Sequence, residues 1–110
     1  MLNIQILTDS IEEEPLMIRK LTQVDHESVM ELVGQKPAEN LFIIGDIEAH
    51  GYDSSIQELW GQFQNDKLTA VLLRYDQNFI PYSDGPFDLQ GFADIINRHP
   101  QPFEVSGLKQ

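Results

Sequence analysis

The sequence predicts an α+β domain (α/β-type in its layering) built on one mixed, mostly antiparallel sheet. Three observations lead there. Apolar residues recur at helical spacing early in the chain, at Val29, Leu32 and Val33, and then run at strand spacing from Leu59 to Tyr75. The polar loop Gln64-Asn65-Asp66-Lys67 splits that run as a hairpin connection would. A second helical stripe, Leu89, Phe92, Ile95 and Ile96, precedes one last short apolar segment.

Taken in order, the opening residues leave two readings. Leu2, Ile4 and Ile6 alternate with polar residues, and the acidic stretch Asp9–Pro15 reads as a linker. Residues 1–16 are either an extension with its own strand or a mis-assigned start ahead of Met17. In the second reading, Glu12-Glu13-Glu14 is what a purine-rich ribosome-binding site gives when read in frame. The domain proper is then 17–110.

Ile18–Leu21 reads as the first strand. Thr22 offers an N-cap, with Asp25 three positions on as an acidic variant of the capping box, and Gly34 is expected to stop the helix in a left-handed conformation. A second helix is expected from near Pro37. It carries Leu41, Ile44 and Ile47 on one side, with Phe42 and Ile43 widening the buried face and Glu39, Asp46 and Glu48 towards water. Gly51 ends it.

Leu59–Phe63, Leu68–Tyr75 and Phe79–Tyr82 are the next strands, and Pro81 marks an edge or a bulge. Asp84-Gly85-Pro86 turns the chain into the third helix, which His99-Pro100 ends. Phe103–Val105 is the last strand. The order is β-α-α-β-β-β-α-β.

Composition bounds the function. A chain of 110 residues holds one small core, and 41% hydrophobic with 9% aromatic residues suits a folded domain. Eighteen acidic against seven basic residues leave a formal charge of -11, which repels phosphate backbones and anionic lipid. Neither nucleic acid nor membrane is expected as a partner, whereas an amine-bearing ligand is compatible. The absence of cysteine excludes disulfides, thiolate metal sites and a cysteine nucleophile. No apolar run approaches the roughly 20 residues of a membrane span, and the amino terminus lacks the pattern of a signal peptide. A cytoplasmic protein is expected.

The side chains that carry chemistry are scattered. His26, His50 and His99 form no metal-ligand spacing and read as surface or helix-end residues. Asp46, Glu48, Asp53 and Glu58 lack the spacing of a calcium loop and read as a solvated acidic face. Ser54 and Ser55 have no nucleophile elbow around them and suit a cap or turn. Trp60, Tyr75 and Tyr82 lie on or beside strands, where aromatics usually belong to the core; their functional alternative is to line a groove. Phe79, Pro81, Phe87 and Phe92 concentrate apolar mass in the same part of the chain.

Several stretches carry a resemblance. They are Met17–Asp25, Glu39–Glu48, Leu59-Trp60-Gly61, Ala70–Tyr75 and Asn78–Tyr82. Together they resemble the amino-terminal half of a group of bacterial proteins of the GNAT N-acetyltransferase family, each about twice as long as this chain and built of two GNAT-like halves. The resemblance spans nearly everything from Met17 to Gly107. It implies a GNAT-like fold lacking the last helix and strands, with the acetyl-coenzyme A motif in the other half.

That motif, Gln/Arg-x-x-Gly-x-Gly/Ala before the third helix, uses backbone N–H groups and a helix amino terminus to hold a pyrophosphate. At the equivalent place this chain has Tyr82-Ser83-Asp84-Gly85-Pro86-Phe87-Asp88. Pro86 has no N–H to donate, and Asp84 and Asp88 repel phosphate. The family's reaction moves acetyl from acetyl-coenzyme A to an amine, with a general base taking the amine proton and a backbone N–H polarising the thioester. Glu48, Glu58 and Tyr82 qualify for a role by type, and no spacing selects one. The expectation is a non-catalytic half that binds no cofactor itself. Its partner would be the missing carboxyl-terminal half or a second copy, joined for instance at an open sheet edge. The alternative is a non-enzymatic interaction or ligand-sensing module.

Overall fold

The computed structural model describes residues 16–100 and 103–105. Five strands lie in chain order across one open sheet: β1 Met17–Lys20, β2 Gln57–Gln64, β3 Lys67–Tyr75, β4 Asn78–Ser83 and β5 Glu104–Val105. The first four run antiparallel to their neighbours, and β5 runs parallel to β4. Helices α1 His26–Val33 and α2 Leu41–His50 join β1 to β2. Helix α3 Leu89–Asn97 makes the crossover that a parallel β4–β5 pair needs. The chain is a mixed α+β domain with the element order the sequence predicts. The expected strand at Leu2–Ile6, the choice between Met1 and Met17 as start, and Gly107 lie outside the described residues.

The sheet is covered on both faces. On one, Leu21 and residues of α1 and α2 (Val29, Val33, Ile43 and Ile47) pack on Leu59, Val71, Leu73 and Tyr82. On the other, Phe92 and Ile95 of α3 pack on Ala70, Leu72 and Phe79. Double coverage explains why β3 carries a continuous apolar run: Ala70, Val71, Leu72 and Leu73 are each 0% exposed.

The β2–β3 hairpin forms where the polar loop predicts it. Asn65 and Asp66 have φ of 55° and 65°, the doubly left-handed form that matches strand twist in a two-residue turn. Two residues later the register slips. Phe63 faces Leu68 but Gln62 faces Ala70, so Thr69 is a bulge. The Gln62 amide donates to Thr69 Oγ1 at 2.9 Å and ties the bulge to β2.

Several expectations need correction. Gly34 closes α1 with φ -73°, right-handed rather than left-handed. Glycine suits it for another reason: a Cβ there would sit 2.6 Å from the Met30 carbonyl oxygen. The second helix begins at Leu41 rather than near Pro37, and its buried side is Ile43 and Ile47. Leu41 and Phe42 are 64% and 75% exposed instead of buried. Such a helix is apolar nearly all round, so periodicity gives its face no unique direction. Leu89, expected in the α3 stripe, is exposed at the first position of that helix.

The Thr22–Asp25 arrangement forms as read, with the Thr22 N–H donating to Asp25 Oδ2 at 2.9 Å. Arg19 adds a two-pronged ion pair to the same carboxylate, at 3.0 and 2.9 Å. This guanidinium, with help from the Thr22 N–H, holds the Asp25 carboxyl below its ordinary range against the opposing effect of burial.

Candidate functional site

The residues singled out in the sequence do not share one groove. Trp60 faces α3 and is half-buried beside Phe79 and Phe92. Tyr82 packs with the core under α1 and α2, on the opposite side of the sheet. Tyr75, at the end of β3, is exposed and stacks on His50 with ring centroids 5.1 Å apart. Phe79 and Phe92 are core residues at 1% and 2% exposure, and the Phe87 ring lies 5.4 Å from that of Phe92. Ser54 is a turn residue whose hydroxyl accepts from the Gln57 N–H at 3.1 Å.

The histidines sit at helix ends, each against an aromatic ring. His26 starts α1, its Nδ1 sharing a hydrogen bond of 2.7 Å with the Tyr52 hydroxyl. Burial, and then the nearby charge of Asp25, push that hydroxyl up to about 12. His50 ends α2, and His99, just after α3, meets Phe79 edge-on at 5.6 Å.

The carboxylates separate as well. Asp46 is half-buried and held above the ordinary range by desolvation, while Glu48 is exposed. Asp53 and Glu58 both reach Lys20, at 3.2 and 2.8 Å. Among the described residues no group of three or more His, Cys, Asp or Glu side chains is placed to hold a metal ion.

Chemistry concentrates instead at the two ends of α3. At its amino end, the Asp88 carboxylate caps the helix, its Oδ1 accepting from the Gly91 N–H at 3.0 Å. The Asp88 N–H donates to Oε1 of the buried Gln62 at 2.6 Å, and the same amide reaches the Pro86 carbonyl at 3.4 Å. Ser83 Oγ donates to the Gly85 carbonyl at 2.5 Å, and the Asp84 N–H to the Thr69 carbonyl at 3.0 Å. Gly85 takes φ 114°, a backbone conformation open to glycine. At Gly91 a Cβ would lie 2.5 Å from both Asp88 Oδ2 and Ile18 Cδ1, so the cap and the close approach to β1 both need glycine there. The chain's own carboxylate thus occupies the position that an anion takes at an open helix start.

At the carboxyl end of α3, a cleft of about 360 Å³ opens between the helix and the sheet. Lys20, Glu58 and Arg74 line its floor from three adjacent strands. Glu58 bridges the two cations, accepting from Lys20 Nζ at 2.8 Å and from Arg74 Nε at 3.1 Å. Burial alone would raise the Glu58 carboxyl, but these two partners outweigh it and hold it below the ordinary range. Arg74 also donates to the carbonyls of Asp76 and Ser55, at 2.7 and 3.4 Å. Arg98, His99 and Pro100 form the rim, with Trp60, Phe79 and Ile95 as the apolar wall.

The sequence singles out Trp60 as a groove candidate and Glu58 as one carboxylate of an acidic face without joining them, and it does not single out Lys20, Arg74 or Arg98. The signal that could have found them is charge economy: three of the seven Lys and Arg residues of an acidic chain meet in this cleft. Among the described residues no helix is long and apolar enough to cross a membrane. Compared with protein families, curated proteins and solved structures, the chain matches none.

Proposed function

We propose that this chain is the amino-terminal half of a GNAT-like N-acetyltransferase, cytoplasmic, which supports acetyl transfer by a carboxyl-terminal half without binding acetyl-coenzyme A itself. The observation that carries this reading is the start of α3. Where the family places a glycine loop around a pyrophosphate, Asp88 fills the helix terminus and Pro86 offers no N–H. A pyrophosphate would have to displace a bound carboxylate and approach Asp84 as well. The element order, with a parallel β5 after the α3 crossover, is compatible with the amino-terminal part of that fold.

The partner is the carboxyl-terminal half or, failing that, a second copy of this chain. Exposed apolar side chains at Val24, Leu41 and Phe42 give such a contact its material. Calorimetric titration of acetyl-coenzyme A into the isolated chain tests the reading. No heat of binding is expected up to millimolar ligand, and micromolar binding would overturn it.

A second reading, a ligand-sensing module that keeps the fold without the chemistry, is favoured by one observation. The cleft at the other end of α3 joins polar groups to an apolar wall in the manner of small-molecule sites.

A further inference from the structure

We propose that the cleft at the carboxyl end of α3 binds a small, flat monocarboxylate, with Arg98 as its charge partner and Trp60 as its apolar wall. The site stands apart from the acetyl-coenzyme A region at the start of α3, and the proposal does not rest on the acetyltransferase reading.

Charge is the first argument. The chain has a formal charge of -11, yet among the described residues three cations line this cleft against one carboxylate, that of Glu58. Lys20 is shared by Glu58 and Asp53, and Arg74 by Glu58 and two backbone carbonyls. Arg98 has no ion pair or side-chain hydrogen bond among the described residues, so it is the cation with a charge to offer. A planar guanidinium fits a carboxylate through two parallel N–H donors. One free cation beside a fixed Glu58 favours a single negative charge over a phosphate dianion.

The second argument is an unmet polar atom. His99 is one of the cleft-lining residues, and its Nε2 is buried with no hydrogen-bond partner among the described residues. Buried polar atoms in native proteins are nearly always partnered, and an orphan beside a cavity points to a missing group. As placed, Nε2 is closed to water, so the ring has to turn towards the cleft before its Nε2–H, in the tautomer that carries the proton there, can donate to the second carboxylate oxygen.

Shape is the third. The volume of about 360 Å³ lies near the small end of ligand cavities. The half-buried Trp60 ring is the accessible part of the apolar wall for a flat body, with the buried Phe79 and Ile95 packed behind it.

Trp60 is the chain's one tryptophan, so its fluorescence reports on this cleft directly. The test is titration of the full chain with benzoate, with benzamide as the uncharged analogue, and a repeat on Arg98→Gln. The Arg98 side chain has no described partner, so Arg98→Gln keeps the fold, which circular dichroism verifies. A saturable change is expected with benzoate at millimolar concentration or below, weakened about tenfold or more both for benzamide and in Arg98→Gln. No saturable change with benzoate, equal binding of benzamide, or an Arg98→Gln variant that binds as well as the parent would overturn the proposal. Acetyl-coenzyme A binding is read separately, so either proposal can fail alone.

Discussion

At the amino end of α3, polar groups close on one another: Asp88 on Gly91, Gln62 on Asp88 and Thr69, and Ser83 on Gly85. At the carboxyl end of the same helix, over the same sheet face, groups are left over. Among the described residues, Glu58 is shared between two cations, Arg98 has no side-chain partner, and a ring nitrogen of His99 is without one. A helix start is the natural place for an anion, and here the chain has filled it from within. The carboxyl end, where the helix dipole disfavours anions, depends on side-chain cations to receive one. Structure is concentrated at the first end and capacity for a ligand at the second.

If the amino end is structural, breaking it costs the most. Gln62 is 0% exposed and serves Asp88, Thr69 and Pro86 at once. Gln62→Leu takes the acceptor from the part-buried Asp88 N–H and the donor from the Thr69 hydroxyl, and loosens the Thr69 bulge. A loss of about 3 kcal/mol is expected in denaturant unfolding, with cleft ligand binding reduced through the shifted register. A loss below about 1 kcal/mol would mean that this end is not the structural one.

The carboxyl end gives less on mutation and more on acidification. Glu58→Gln leaves Arg74 buried beside a neutral partner, for an expected cost of about 2 kcal/mol, tempered because Glu58 and Lys20 stay partly wet. The Glu58 carboxyl titrates below its unfolded value, so its stabilisation is complete above about pH 5 and fades as pH falls through the folded value. Unfolding followed from pH 6 down to pH 3 should therefore be flatter in Glu58→Gln than in the parent. Some slope remains, because Asp25 is held down by Arg19 and acts with the same sign.

The contrast also separates what periodicity reveals from what it hides. The β2–β3 hairpin was legible because a four-residue polar break between apolar runs has few other meanings, and α3 because Phe92 and Ile95 stand at true helical spacing. The cleft was not legible, for a reason of register. A two-residue turn carried back without interruption would set Gln57 opposite Arg74. The Thr69 bulge moves the register by one, so that Glu58 meets Arg74 and both point at α3. Nothing at Thr69 announces a bulge; it is fixed by Gln62, a polar side chain that is fully buried. Lys20 and Arg98 lie far apart in the chain and meet through the sheet and α3, so no motif contains them. The failure at α2 is of another kind, since Leu41, Phe42, Ile43 and Ile44 offer more apolar faces than the sheet can cover.

The smallest expected effect is the most specific to the closed end. Asp88→Ala removes the carboxylate that accepts from the Gly91 N–H and exposes the first turn of α3 to water. Loss of such a cap costs about 1 kcal/mol, which for a domain of this size lowers the melting temperature by roughly 4–8 °C. Asp88→Asn keeps an accepting oxygen and should fall by less than half as much, since the remaining difference is the charge at the helix dipole. Thermal melts of the two variants against the parent measure both numbers. Equal losses in the two would assign the stabilisation to charge, whereas a loss confined to Asp88→Ala assigns it to the hydrogen bond. In neither variant should benzoate binding at the far end of α3 change, because the Asp88 hydrogen bonds to Gln62 and Gly91 involve none of the residues that line that cleft.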